Sequence, residues 1–301
     1  MRLLLPVTCE PVNLAEAYSR DVQEPKGRPF VRVNMVSSLD GAVAVSGRSG
    51  PLGGPGDRLV FAALRSLADF ILVGAGTLRA EHYGPPSLPE EVQQFRETRG
   101  QSRLPRLAVV TGSARLDWGS PLFSGRDQKT VVITSATAGR GELKRASEVA
   151  EVLSLGRGTV DLVGAVQALG ALGARHVLCE GGPRLNTSLL AAGLIDELCL
   201  TLSPKLAGPV GPSLMSGWLG GSGPQAVAGP SGGSTPELGT RARPQPLQLE
   251  LVHVLEEHGF LFLRLRASSE QPSGPTLGVP SGQASSALKF QGVPADKRAW
   301  P

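Results

Sequence analysis

The sequence predicts an α/β fold, a mainly parallel sheet with helices on both faces and an antiparallel hairpin at its C-terminal end. Three observations predict it. Short runs rich in β-branched residues alternate with segments of helical periodicity through most of the chain, the pattern of strands joined by crossover helices. One run, Phe70 to Gly74, is apolar throughout, as in a strand covered on both faces. Three late segments, 195–203, 247–255 and 260–265, alternate apolar and polar instead, with His258-Gly259 as a tight turn between the last two.

The elements follow in order. Residues 1–27 are weakly periodic and read as an arm with a short helix at Val12 to Arg20. Phe30 to Val36 is the first strand, breaking at Ser37-Ser-Leu-Asp-Gly41, and Ala42 to Val45 is expected to continue as a short strand. The polar, glycine-rich stretch Ser46 to Pro55 has the character of a binding loop. Gly56 to Ala68 is a helix with Val60, Leu64 and Leu67 on one stripe and Arg58 and Arg65 on another. Strands follow at 70–74, 107–111, 130–134 and 149–155, with helices at 89–99 and 138–146. Thr159 is placed to cap a helix carrying Leu162, Val166 and Leu169. The segments 217–246 and 268–301 are rich in Gly, Pro and Ser and poor in apolar periodicity; they are expected to be a flexible insertion and a disordered tail, leaving 28–267 as the folded domain.

Composition narrows the function. Thirty basic and 26 acidic residues leave a net charge of +4 in 301 residues, without long basic runs, which argues against nucleic acid and leaves room for a phosphorylated ligand. Cys9, Cys179 and Cys199 are scattered, as free thiols of a reducing cytosol are. The four histidines have no ligand spacing, so no metal is expected. Met1 to Pro6 is too short for a signal peptide's apolar region and no span reaches transmembrane length, which predicts a soluble cytoplasmic protein.

The stretch His176 to Asn186 carries the sharpest chemical signal. A strand core ends at Glu180, Gly181-Gly182 turn the backbone, and Pro183 opens a helix whose Leu185, Leu189 and Ala192 fall at helical spacing. The N–H groups of Gly182 to Leu185 and the positive end of the helix dipole then converge on one spot suited to an anion. Gly74-Ala-Gly-Thr77 and Thr111-Gly-Ser113 end two other strands in the same manner, which groups Gly74, Gly76, Thr77 and Thr111 with Gly181, Gly182, Pro183, Arg184 and Leu185 as walls of one ligand cleft, the alternative being ordinary strand-to-helix turns.

Four motifs in order, Ser37-Ser-Leu-Asp-Gly41, Gly74-Ala-Gly-Thr77, Glu180-Gly-Gly-Pro-Arg-Leu185 and Gly193-Leu-Ile-Asp-Glu197 followed by Ser203-Pro-Lys-Leu-Ala-Gly208, resemble the reductase domain of the riboflavin-pathway deaminase/reductase proteins, the RibD C-terminal type. The similarity covers roughly 28–267 without the insertion. It resembles the stand-alone actinobacterial branch in particular, since neither zinc signature of the deaminase half is present. The resemblance implies a dihydrofolate reductase-like fold and a homodimer that uses NADPH to reduce the ribosyl group of 5-amino-6-(5-phosphoribosylamino)uracil to ribityl. By the same resemblance Thr77 and Glu81 contact the nicotinamide cofactor, Glu81 standing where the family usually has Asp, Gly182 through Ser188 hold its pyrophosphate, and Ser49, Arg65 and Glu180 contact the substrate.

Each assignment has a structural alternative. Arg65 suits a phosphate or a solvated helix surface; Glu180, the N–H edge of a ring or a helix cap; Thr77, a cofactor or the cap of a short helix; Asn34, ring recognition or satisfaction within the strand. Asp40 reads as a turn residue. Where the family continues after its threonine to an arginine available for the substrate phosphate, this protein has Glu81-His-Tyr-Gly-Pro-Pro-Ser-Leu88, losing a contact worth roughly 1.5–3 kcal/mol. Arg58, Arg79 or Lys205 can replace it, or the substrate differs, dihydrofolate being the alternative ring and a non-catalytic nucleotide-binding protein the other reading. Ser113, Arg115 and Ser135 are candidates for a 2′-phosphate, and the sequence singles out no proton donor.

Overall fold

The computed structural model describes residues 1–6, 8, 10–125, 128–208, 211–216 and 246–268. Its strands are β1 (Arg2–Leu5), β2 (Phe30–Ser38), β3 (Phe70–Gly74), β4 (Arg106–Thr111), β5 (Val131–Thr134), β6 (Glu151–Ser154), β7 (His176–Cys179), β8 (Glu197–Ser203), β9 (Leu249–Glu257) and β10 (Phe260–Ala267). Its helices are α1 (Leu14–Ser19), α2 (Pro55–Leu67), α3 (Ala75–Ala80), α4 (Glu90–Thr98), α5 (Arg140–Val149), α6 (Leu162–Ala171) and α7 (Pro183–Ala191). All ten strands join one sheet in the order β1-β9-β10-β8-β2-β7-β3-β4-β5-β6. The run from β8 to β6 is parallel, and β10, β9 and β1 add to it antiparallel. The expected α/β class, mainly parallel with a C-terminal hairpin, is the observed one.

Side-chain parity divides the core. Val31 and Val33 of β2, Leu72 of β3, and Val177 and Cys179 of β7 pack with Leu162, Val166 and Leu169 of α6 and Leu185 and Leu189 of α7 on one face. On the other, Val60, Leu64 and Leu67 of α2 and Tyr18 of α1 cover Leu178, Cys199, Leu255 and Phe262, while Ile71 and Val73 pack beside α3. The order also places β7 between β2 and β3, although it follows both in sequence. The path of the backbone therefore reverses direction across the sheet there, which is where open α/β sheets leave a crevice beyond the strand ends.

Several expectations need correction. The arm is not free of the sheet: Arg2–Leu5 pairs with β9 as an edge strand, and the Met1 ammonium lies 3.2 Å from Glu257 Oε1. A four-residue strand without periodicity whose partner lies some 250 positions later leaves no local signal. Ala42 to Val45 is not a strand; Ala42 and Val45 make only isolated bridges to Ser213 and Arg48. The backbone is diverted there by Asp40, whose carboxylate accepts from the backbone N–H of Ala207 (3.1 Å) and Gly208 (2.7 Å) and from the Ser38 hydroxyl (2.5 Å). These bonds, the Ser38 hydroxyl first, hold the Asp40 carboxyl down at about 2. Asp161, not Thr159, caps α6, accepting from Gly164 N at 3.0 Å.

Cys179 and Cys199 are free and buried, and burial pushes the Cys179 thiol up to about 12 and that of Cys199 still higher. Cys9, the segment 217–246 apart from Pro246, and the tail 268–301 apart from Ser268 lie outside the described residues. Among the described residues no helix is long and apolar enough to cross a membrane, and no group of three His, Cys, Asp or Glu is placed to hold a metal.

Candidate active site

The crevice at the ends of β2, β7 and β3 is built from two glycine turns that pack on each other. Glu180 N donates to Leu72 O (3.0 Å) and Gly74 N to Gly181 O (2.8 Å), so the two strand ends stay paired past the last residues of β7. Gly181 has φ +83° and its bond to Gly182 is cis. A Cβ on Gly181 would lie 3.0 Å from Met35 Sδ, and one on Gly182 would lie 2.5 Å from Thr77 Oγ1. Only glycine fits both places. Gly182 is the N-cap of α7 in extended backbone, with Pro183 at the first position, and the turn has no capping side-chain hydrogen bond. The first intrahelical donor is Asn186 N, to Gly182 O at 3.0 Å, which leaves the Arg184 and Leu185 N–H groups pointing outward beyond the strand end.

Thr77 lies inside α3 and not at its cap, which is Gly74. Its hydroxyl packs directly against Gly182, so close that a Cβ there would clash with it. Gly76 beside it faces open space. Thr111 ends β4 next along the sheet, buried and in register with Thr134. Arg184 is exposed, whereas Leu185 is part of the core. Ser113 and Ser135 turn to their own loops, Ser113 Oγ accepting from Arg115 N (3.4 Å) and Ser135 Oγ donating to Gly112 O (3.2 Å).

A second group begins at the residue before the turn. Glu180 accepts from Arg65 Nε at 2.7 Å and Nη2 at 2.8 Å, and from the Tyr83 hydroxyl at 2.6 Å. The Glu180 side chain is 2% exposed and that of Arg65 20%, so the arginine is the open side of the pair. Its guanidinium stacks over Phe61, 4.2 Å from the ring centroid. Burial lowers the Arg65 pKa, but the hydrogen bonds and charge of Glu180 outweigh it and the net shift is upward. Burial first, then the Glu180 charge, push the Tyr83 phenol well above its ordinary range. Glu180 is thus not a bare acceptor, and Arg65 is not a free cation. The pair presents a planar, positively polarised edge whose Nη1 stands outside the bidentate bond.

The glycine-rich loop before α2 closes the rim. Ser49 N donates to Glu81 Oε1 at 2.7 Å, a reach the extra methylene of Glu over Asp allows. Arg48 Nη2 lies 2.7 Å from His82 Nε2 on the exposed rim. Lys205 Nζ is committed to the loop itself, donating to Pro51 O at 2.7 Å, and Arg79 reaches Arg115 O at 3.4 Å in the loop after β4; Arg58 makes no such bond among the described residues. Asn34 is half-buried on the strand face that carries Arg32 and, continuing the β2–β7 register, stands beside Glu180. Its amide has no hydrogen-bond partner among the described residues, so it is available to a ligand. Tyr83 escaped the sequence reading because a lone tyrosine in a Gly-Pro-Pro loop carries no periodicity or motif.

Comparison with known proteins gives the family. The family model described as the RibD C-terminal domain matches residues 29–220, more than half of the chain. The 2,5-diamino-6-ribosylamino-4(3H)-pyrimidinone 5′-phosphate reductases of Archaeoglobus fulgidus and Methanothermobacter thermautotrophicus are 29% and 31% identical over 182 and 183 residues, 60% of this chain in each case and 83% and 80% of theirs. A crystal structure of a pyrimidine reductase-like protein from Corynebacterium diphtheriae superposes with a TM-score of 0.71 at 27% identity, covering 86% of this chain and all of that one. The glycine turn at 181–182, the strand end at 74–77 and the parallel strands β2 to β8 that join them fall within the matched segment, and the chain belongs to the RibD C-terminal domain family.

Proposed function

We propose that the protein is an NADPH-dependent reductase of riboflavin synthesis that converts the ribosyl group of a phosphoribosylaminopyrimidine, 5-amino-6-(5-phosphoribosylamino)uracil, to ribityl. The observation that carries this reading is the adjacency of Glu180 to Gly181-Gly182: one turn holds an anion-binding helix start on one side and a polarised Arg65–Glu180–Tyr83 group on the other. A dinucleotide fits the first. The N–H groups of Arg184 and Leu185 meet its pyrophosphate, and the bare Gly182 lets the helix start pack against the Thr77 hydroxyl, beside the open space that Gly76 faces. NADPH, when bound, supplies the hydride. Arg65 and Asn34 orient the ring, while the loop clamped by Ser49–Glu81 and Lys205 excludes water.

The arginine absent after Thr77 is replaced in this reading by Arg48 with His82, two basic side chains side by side on the rim next to Ser49. The same absence favours the second reading, reduction of a phosphate-free ring such as dihydrofolate. A homodimer is also proposed. On the sheet face opposite α1 and α2, Leu200 and Leu202 of β8, Leu261, Leu263 and Leu265 of β10 and the exposed Leu251 of β9 form an apolar surface suited to a second copy. The buried free thiols accord with a cytoplasmic setting.

NADPH oxidation assayed separately with the aminouracil phosphate and with dihydrofolate tests the reading. Turnover of the first, with a ribityl product heavier by two hydrogens, is expected; turnover of dihydrofolate alone supports the second reading, and NADPH binding without turnover of either contradicts both.

A further inference from the structure

Three donors fill the carboxylate that stands beside the crevice turn. Glu180 Oε1 accepts from Arg65 Nε at 2.7 Å, and Oε2 accepts from Arg65 Nη2 at 2.8 Å and from the Tyr83 hydroxyl at 2.6 Å. The side chain is left 2% exposed. A ring N–H that reaches Glu180 therefore takes the place of one of the three. The two arginine bonds form a fork whose guanidinium is stacked over Phe61 of α2, so releasing one of them disturbs the other and the stack as well. The tyrosine contributes a single bond.

The segment that carries Tyr83 lets that bond yield. Residues 81–89 join α3 to α4 without helix or strand and contain Gly84-Pro85-Pro86. The start of the segment is pinned, with Glu81 N donating to Thr77 O at 2.9 Å, Glu81 Oε1 accepting from Ser49 N at 2.7 Å, and His82 Nε2 2.7 Å from Arg48 Nη2. Past these pins the Tyr83 ring is half-buried, Gly84 and Pro85 are exposed, and a Cβ on Gly84 would meet nothing within 4 Å. The phenol thus sits between a fixed anchor and open space. Burial first, then the charge of Glu180, raise its pKa well above the ordinary range, so it is a donor at any pH near neutral.

We propose that Tyr83 is a specificity-determining residue that holds the substrate's place on Glu180: its hydroxyl stands where a ring N–H comes to lie, and binding exchanges one donor for the other. The proposal rests on the reductase reading. The exchange keeps the buried carboxylate supplied with donors at both stages, which a bare acceptor at that depth would lack. No proton is transferred, since the phenol leaves with its own. Asn34 stands beside Glu180, and its amide N–H groups face the carbonyl next to that ring N–H. Acceptor and donor side by side fit the imide edge of a pyrimidine, N–H next to C=O, as a uracil presents it. A ring without such an N–H leaves Tyr83 in place and Glu180 covered.

The test uses the full-length protein saturated with NADP⁺, which supplies no hydride. Tyr83→Phe keeps the ring and removes the hydroxyl; calorimetry should show the aminouracil phosphate bound about tenfold more tightly than by the wild type, with NADP⁺ affinity unchanged. The 1,3-dimethyl form of the same ligand, which has no ring N–H, should gain nothing from the substitution. A second measurement needs no variant beyond signal assignment. Tyr18 and Tyr83 are the two tyrosines of the chain, so carbon NMR of wild-type protein labelled at the tyrosine ζ carbon gives two signals. Saturation with the aminouracil phosphate should move the Tyr83 signal to that of a solvated phenol and leave Tyr18 unmoved. A Tyr83 signal unmoved by the bound ring, ring binding no tighter in Tyr83→Phe, or an equal gain for the dimethyl ligand overturns the exchange. If turnover with NADPH is intact in that case, the exchange alone fails. A wild-type protein that neither binds nor reduces the aminouracil phosphate overturns the reductase reading, and the exchange with it.

Discussion

Two buried carboxylates on one face of this sheet are handled in opposite ways. Glu197, at the start of β8, is 0% exposed and shared between Arg32 Nε at 2.5 Å and Arg264 Nε at 2.8 Å. Three of the four remaining guanidinium nitrogens turn away from it and take the backbone carbonyls of Ala17, Tyr18 and Arg20 at the end of α1. These bonds serve the fold. Glu180, at the opposite end of β7, one strand beyond β2, has one arginine and a tyrosine, and its arginine keeps an exposed edge toward the crevice. The same two residue types thus build an internal strut at the entry end of the strands and a crevice-facing surface at the exit end. The difference lies in what surrounds them: helix carbonyls in one case, glycine turns and a half-buried amide without a partner in the other.

Substitutions should separate the two. The largest effect is expected for Glu197→Gln, which leaves two buried arginines facing one neutral amide; it should cost about 3–5 kcal/mol of stability, read by denaturant unfolding, with the rate per folded molecule unchanged. Glu180→Gln should reverse the pattern, lowering kcat/KM about 100-fold, some 2.7 kcal/mol, with a much smaller loss of stability. Equal stability losses would erase the distinction.

A third prediction concerns pH. His253, beside the Glu197 group, has a ring nitrogen without a partner, and burial, then Arg264, lower its pKa to about 4. Below the unfolded value near 6.5 the unfolded state binds a proton that the folded one refuses until about 4, so stability is intact above 6.5 and falls with pH between the two. About 2 kcal/mol should be lost between pH 7 and 5, and His253→Gln should remove that slope. Gly182→Val should weaken NADPH more than tenfold, over about 1.4 kcal/mol by calorimetry, because the new side chain meets the Thr77 hydroxyl. The smallest effect is expected at the rim: Arg48→Ala should raise KM for the phosphorylated substrate about tenfold and leave that of its dephosphorylated form unchanged.

The sequence made one of the two carboxylates legible and hid the other. Glu180 stands next to Gly181-Gly182 and Pro183, where turn chemistry and helix-start grammar mark a strand end. Glu197 has no such neighbour; its partners Arg32 and Arg264 are brought to it only by β2 and β10 pairing with β8. Tyr83 was invisible for a similar reason, since it sits in a loop without periodicity and meets Glu180 only in the folded chain. Strands and helices themselves were read from periodicity, with the exception of β1, whose three leucines match no period and whose partner is distant. Local pattern thus exposes elements and turns, while charge networks assembled across the sheet become visible only in three dimensions.

The central claim is that cofactor and ring meet on either side of the Glu180–Gly181–Gly182 turn. A crystal structure of the protein soaked with NADP⁺ tests it most directly. The account predicts pyrophosphate oxygens on the N–H groups of Arg184 and Leu185, the nicotinamide passing Thr77 toward Glu180. Density for the cofactor elsewhere, for instance in the 310 Å³ cavity at the opposite strand ends lined by Glu24, Arg28, Gln167 and Arg175, with the 181–185 turn left bare, would contradict it.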